Sequence, residues 1–336
     1  METMLDSMMR TKLPLALVLC MCLSACKKDA EQPDQARSED TAAPAPPPTQ
    51  TPPSSESEPA ASPAEKLLDW LDPEAVAVIY SKLPATLDTD ALSVVFAVPQ
   101  KTARMLRANR NLTEALDAIL PAEAPRPDTW LGPEVLATAS PMSTGTYVLR
   151  PLTRPRDEVQ NVLESAGMQP SVVEGITMLS PRGPFPWRAA FLTDDVLAFI
   201  PVKEVGSGLN PLTAGRDMPK SEITKALMEL TRKEPNAMLE LYAAGPLVHF
   251  DIGQDVLQLM LRARRWQDRG LDVEVRMQTN RDPHEAAQKL GGRQTPLETD
   301  RVQALVDRVA FSVDQDTVLG RLQLDPEDVA TLSEAS

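Results

Sequence analysis

The sequence predicts an α+β protein: two sequence-similar modules of mainly antiparallel sheet with helices packed on it, behind an export signal and a disordered linker. Three observations carry this. Short runs repeat in the same order in the two halves of the body. Apolar β-type runs are separated by acidic turns. Helices are marked by Asp-Pro starts and glycine stops. The predicted division is 1–25 signal, 26–64 tether, 65–234 first module and 235–336 second module.

The first element is the leader. Residues 13–25, LPLALVLCMCLSA, form an apolar run preceded by Arg10 and Lys12 and followed by Cys26. A membrane-spanning helix needs ~20 apolar residues, and this run is shorter; basic residues before it and small ones at its end describe a cleaved export signal. Leu23-Ser24-Ala25-Cys26 resembles the lipobox of bacterial lipoproteins. The resemblance implies cleavage between Ala25 and Cys26, a diacylglyceryl thioether on Cys26, and acylation of the new amino terminus. Lys27 stands where aspartate would retain such a protein at the inner membrane, so the resemblance implies the outer membrane, on its periplasmic or surface side. Glu2 and Asp6 are unusual in a positive leader region, and Met8 or Met9 gives the cleaner opening MRTK.

Cys20, Cys22 and Cys26 are the three cysteines of the chain, so the part after the leader has no thiol left for a disulfide. Its stability must come from an apolar core. At 42% hydrophobic but 4% aromatic, that core must be built from Leu, Val, Ala and Met. Glu2 and Asp6 cancel Arg10 and Lys12, so the net charge of −14 belongs to the remainder. Such acidity argues against nucleic acid as a partner, because phosphate binding needs Lys and Arg. From Lys27 to about Ala64 the chain is mainly Pro, Ala, Ser, Thr, Glu and Asp, with APAPPPTQTPPSSESEP at its centre. This composition cannot bury enough surface to offset ordering entropy. At ~3.1 Å per residue in polyproline II, it makes a spacer reaching up to ~100 Å.

Within the body, PEAVAVIYSKLP (73–84) matches PNAMLELYAAGP (235–246). TYVLRPLTRPRDEVQNVLESAG (146–167) parallels LDVEVRMQTNRDPHEAAQKLGG (271–292), each a β-type run ending in Arg, then a Thr and a helix. WRAAFLTDDVLA (187–198) matches DRVAFSVDQDTVLG (307–320) in the frame R-x-A-F, acidic turn, V-L. VAVIY and MLELY read as strands. Asp194-Asp195 and Asp314-Gln315-Asp316-Thr317 read as hairpin turns, since Asp tolerates positive φ. Asp282-Pro283-His284-Glu285 and Asp325-Pro326-Glu327-Asp328 read as helix starts, and Gly167, Gly270 and Gly291 as helix stops. A helical insert is expected around 99–139, and a helix over 254–269 carrying Arg262, Arg265 and Arg269 on one face. This pattern resembles uncharacterised repeated strand–helix–hairpin domains of exported bacterial proteins; the resemblance implies an architecture and no activity.

Leads to chemistry are few. His249 stands two residues before Asp251, a pair able to orient an imidazole for base catalysis in a periplasmic hydrolase or to ligate a metal; the alternative is a half-buried histidine near a helix cap provided by Asp251. His284 belongs to a helix start. No HExxH, G-x-S-x-G, Walker loop or dinucleotide fingerprint occurs, and Gly206-Ser207-Gly208 reads as a link. No cofactor or metal is expected. The loop Pro181–Arg188 is rigid, and its Arg182, Phe185, Trp187 and Arg188 suit an acidic peptide, a glycan or another envelope protein, Trp and Arg being favoured at binding hot spots. The alternative for Phe185 and Trp187 is to cover a sheet edge. The function expected is a non-enzymatic binding or structural module of the cell envelope, held to its membrane by lipid.

Overall fold

Val78, Ile79 and Tyr80 place β-branched and aromatic side chains in a run buried on both sides, and this run is the centre of the sheet. The computed structural model describes residues 62–83, 89–139, 145–204, 206, 208–233, 236–244, 256–266, 270–280, 282–292 and 300–334. The leader, Cys26, most of the tether, His249 and Asp251 lie outside the described residues.

In chain order the elements are α1 (Pro63–Leu68), β1 (Ala77–Ser81), α2 (Thr89–Val95), α3 (Gln100–Leu106), α4 (Ala108–Ile119), a 3-10 turn (Pro127–Thr129), β2 (Val135–Ala139) and β3 (Tyr147–Pro151). There follow α5 (Arg156–Ser165), β4 (Met168–Val173), β5 (Ile176–Pro181), β6 (Trp187–Phe191), β7 (Val196–Pro201), α6 (Asn210–Asp217) and α7 (Glu222–Lys233). The chain continues through β8 (Ala237–Ala244), β9 (Val256–Trp266), β10 (Gly270–Thr279), α8 (Pro283–Gly291), α9 (Asp300–Arg308), β11 (Ala310–Asp314), β12 (Thr317–Leu324) and α10 (Pro326–Glu334). The described strands form one antiparallel twelve-stranded sheet in the order β11-β12-β10-β9-β8-β1-β2-β3-β7-β6-β5-β4.

The two stretches divided at 234/235 therefore meet inside one sheet, where β1 pairs with β8. Outward from that pair both follow the same order: first, second and third strand, then a hairpin whose later strand lies innermost. The first half adds the β4–β5 hairpin at its edge and α2–α4 between its first two strands. Ile79 pairs with Leu241, its own counterpart in the Tyr80/Tyr242 frame, with Val78↔Tyr242 and Tyr80↔Glu240 on either side. The register is thus centred on that frame. The other matches divide. Phe191 and Phe311 stand opposite Leu197 and Gly320 and lie on the same sheet face. Arg150 and Arg276 occupy corresponding strands but opposite faces, because strand side chains alternate and the frames differ by one residue.

Along β2 the alternation assigns the layers: Val135 and Ala137 point to one face and Leu136 to the other. On the first face, α2, α3, α8, α9 and α10 pack on the sheet through Leu92, Met105, Leu290, Leu305 and Leu332. Farther along that face, α4 and α5 bury Leu112, Leu116, Val159 and Leu163. The opposite face is covered over the first half by α1, α6 and α7, through Leu67, Leu68, Leu212 and Leu227. Over the second half that face carries an ion-paired ladder, Arg262–Glu240 (3.0 Å), Arg276–Glu274 (2.7 Å) and Arg321–Glu274 (3.1 Å).

Several local expectations hold. Asp282 accepts the amide of His284, and Asp325 those of Glu327 and Asp328, capping α8 and α10. Gly167 follows α5 with φ 88°, as a helix stop requires. Others fail. Residues 256–266 are strand β9, not a helix: Leu257, Leu259, Leu261 and Ala263 alternate with Gln258, Met260, Arg262 and Arg264, and pairing with β8 and β10 overrides helix propensity. Arg262 and Arg265 consequently point to opposite faces, and Arg269 lies outside the described residues. Gly270 opens β10 rather than stopping a helix, packed so closely that a Cβ would fall 2.7 Å from the Leu324 carbonyl oxygen. The insert around 99–139 is helical only in part, ending in strand β2. At the β11–β12 turn the positive φ falls on Gln315 (54°) rather than on an aspartate.

Helix α1 begins two residues inside the stretch read as tether, with a Ser62–Glu65 capping box. Lys66 and Arg232 tie it down, to Asp195 and Glu65 respectively. The Lys66 hydrogen bond holds the Asp195 carboxyl below its ordinary value, against partial burial. The Ser62 amide does the same for Glu65, with Arg232 adding to it. Depressed folded-state values mean that this stability is complete above the unfolded value of roughly 4 and is lost as pH falls through the lower folded value. Urea midpoints should therefore be flat at neutral pH and decline on acidification below about 4. Lys66→Met should flatten part of that decline; an unaltered acid limb would show that the Lys66–Asp195 contact contributes nothing.

Candidate functional site

Strand β6 begins where Pro181–Pro186 ends, and the prolines at 184, 186 and 201 fix φ on both sides of the β6–β7 rim. Trp187 pairs with Pro201, and the Val202 amide donates to the Pro186 carbonyl at 2.9 Å. Facing this rim are the end of α3 and the start of α4. Between them lies an open groove of about 530 Å³, lined by Arg104, Ala108, Asn111, Phe185, Trp187 and Lys203 together with Gly145, Thr146 and the rim prolines. That size falls within the usual range for ligand pockets.

The four loop residues singled out in the sequence do not act as one patch. Phe185 is buried in the core, 4% exposed, and makes an edge-type ring contact with half-buried Trp187, with centroids 5.7 Å apart. Arg188 follows Trp187 along the strand and so points to the other sheet face, where it donates to the carbonyls of Gly206 (2.6 Å) and Val202 (3.0 Å). Arg182 is exposed and outside the groove lining. Arg104 and Lys203, which sequence reasoning missed, supply the positive charge instead. Both are exposed, and neither has an ion-pair partner among the described residues. The chain places them far apart, and only the packing of α3 beside the β7 end brings them to one groove.

Underneath, Gly145 donates to Glu204 at 3.2 Å. Burial, with Glu204 next, pushes the Tyr147 phenol upward, so Tyr147 stays neutral at physiological pH. A second groove of about 440 Å³ runs between α7 and the face of β8 and β9, lined by Ile223, Leu227, Tyr242, Met260, Glu240 and Arg262. The junction of the two halves is otherwise a hydrogen-bonded strand pair rather than a cleft. His284 sits exposed at the second position of α8. Asp194 and Asp195 occupy the β6–β7 turn and are held by Arg156 and Lys66. Among the described residues, no three His, Cys, Asp or Glu side chains converge as metal ligands, and no helix is long and apolar enough to cross a membrane.

No protein-family model matches the chain, and neither does any curated protein. Among solved structures, crystal form I of TP0453 is similar with a TM-score of 0.44 and 11% identity, over 80% of this chain and 96% of that one. Crystal form III of TP0453 gives a TM-score of 0.42 at 11% identity, over 83% and 100%. Likeness at that level transfers neither a site nor an activity.

The burial difference between the two aromatics sets distinct outcomes. Phe185→Ala should cost ~3–5 kcal/mol in denaturant unfolding. Trp187→Ala should cost ~1 kcal/mol, mainly the edge-to-face contact. Equal losses would mean that Trp187 serves the core rather than the groove.

Proposed function

We propose that this chain is a lipid-anchored envelope protein whose body is a duplicated, non-enzymatic binding module, taking an acidic segment of another envelope protein in the groove beside Trp187. The observation that carries the ligand reading is the groove lining: an aromatic wall stiffened by prolines, with Arg104 and Lys203 as its charged side chains, on a chain of net charge −14. Within the groove the charged side chains are cationic, so it favours acidic ligands locally, against the long-range repulsion of the chain's net negative charge. A glycan carrying carboxylates would satisfy the same chemistry less specifically, since the wall offers one half-exposed ring.

Duplication is supported by the shared strand order and by the β1–β8 register centred on the Tyr80/Tyr242 frame. The anchor reading rests on Leu23-Ser24-Ala25-Cys26 behind a basic and apolar leader. On this reading the lipid on Cys26, followed by residues 27–61, holds the module near the membrane, by default the outer one.

Two measurements test these statements separately. Cells fed labelled palmitate should label the chain and retain it in membranes, and Cys26→Ser should lose both; membrane retention of the unlabelled variant would sink the anchor. A short glutamate-rich peptide should quench tryptophan fluorescence saturably. Arg104→Glu should weaken it by about tenfold, and Trp187→Ala should remove the response. Equal quenching by a lysine-rich peptide, or full response in Arg104→Glu, would eliminate the acidic-ligand reading.

A further inference from the structure

Beyond that groove, on the other side of α4, lies a pocket that nothing above uses. Ala108 and Asn111 face the groove; Asn109 and Thr113, one turn apart, line a separate pocket of about 390 Å³. Its other walls are Lys82 and Leu83 after β1, Pro127–Pro133 in part, and Arg150 and Thr153 at the end of β3.

Arg150 is 7% exposed. Its Nε and Nη2 donate to the Gly132 carbonyl at 3.2 and 2.5 Å, and its Nη1 to Asn109 Oδ1 at 2.6 Å. These acceptors are neutral. No carboxylate of the described residues comes within ion-pair distance, whereas charged side chains that are buried are normally paired. Of the five N–H groups of a guanidinium, three are engaged, leaving one on each terminal nitrogen. Lys82, over the Tyr80 ring at 5.7 Å, adds a second cation. The acids near this pocket are exposed Asp128 in its wall and half-buried Glu134, which acts on Arg150 only at longer range. Burial pulls Arg150 down to about 10, with Glu134 opposing; it remains charged at neutral pH.

We propose that this pocket is an oxyanion site, in which Arg150 donates its two remaining N–H groups to the carboxylate or phosphate of a small molecule, with Lys82, Thr113 and Thr153 around it. An arginine fork matches two oxygens of such a group, and the anion supplies the countercharge that the protein withholds. The pocket volume lies within the range of small-molecule sites. The site is independent of the acidic-peptide groove, so loss of either leaves the other standing.

The test uses the full chain with inorganic phosphate and acetate as probes, against chloride at equal ionic strength. Phosphate or acetate should raise Tm saturably, by ~2 °C well above Kd, and should shift the amide resonances of Asn109, Thr113 and Gly132 while leaving the Trp187 indole unmoved. Whichever anion acts at lower concentration assigns the ligand class. Asn109→Asp places a carboxylate on Arg150 without changing shape, and should weaken the response at least about tenfold in a folded protein. Arg150→Gln should abolish it. Identical behaviour in all three anions, shifts confined to other residues, or an undiminished response in folded Asn109→Asp would each overturn the site. If either variant fails to fold, the wild-type resonance shifts alone decide.

Discussion

The pairing of β1 with β8 is the constraint on which the other elements depend. Within the sheet the two halves are joined through five cross-strand positions centred on Ile79 and Leu241. A slip of one residue there would turn the side chains of one half over relative to the other. The apolar residues of β8, β9 and β10 would then leave the face on which α2, α8, α9 and α10 share a core with Ala77 and Ile79. Burial on both faces is what forbids the slip: Val78 and Tyr80 lie under α1 and α7, while Ile79 lies under α2 and α3. Helix α2 from the first half packs on α9 from the second, so the junction is stapled a second time above the sheet.

Given that junction, the two halves are alike in strand order and unlike in covering. The first half is helix-covered on both faces. The second has its helices on one face, and among the described residues its other face carries arginine and glutamate in pairs. Alternating charge lets that face meet water without exposing an apolar sheet. The inserted segment α2–α4 has the opposite effect in the first half. It builds a wall over the ends of β1, β2 and β3, and both the Trp187 groove and the Arg150 pocket are bounded by α4. The candidate sites thus arise where the first half departs from the pattern that it shares with the second.

What the sequence disclosed follows from how local the physics is. Helix caps at Asp282 and Asp325 and the hairpins at 194–195 and 314–317 depend on adjacent residues, and were legible. The β4–β5 hairpin was missed although Glu174-Gly175 takes positive φ at both residues, because its flanks carry Pro170 and Ser171 rather than an apolar alternation. Strand β9 was misread because Leu, Met, Gln and Arg favour helices and Arg262, Arg265 and Arg269 are spaced as on one helix face. Its true signal was the alternation of Leu259, Leu261 and Ala263. Trp187 and Arg188 were read as neighbours, yet strand geometry sends neighbours apart. Arg104, Lys203 and Arg150 were not legible as site residues, since their roles depend on contacts between distant segments.

Arg150 and Arg276 bring these threads together. Both close a β-type run in the third strand of their halves, and both stand opposite a leucine, Leu197 and Leu319. In β10, Val275 and Met277 take the core face, so Arg276 points to the outer ladder and meets Glu274 at 2.7 Å. In β3, Tyr147 and Leu149 take the face under α1, and Arg150 turns beneath α4. On the duplicated reading, one residue of register converts a solvated, paired arginine into a buried one whose charge faces neutral acceptors. A leucine at that position would fill the space more favourably. Retaining a guanidinium there makes physical sense when an outside anion completes it.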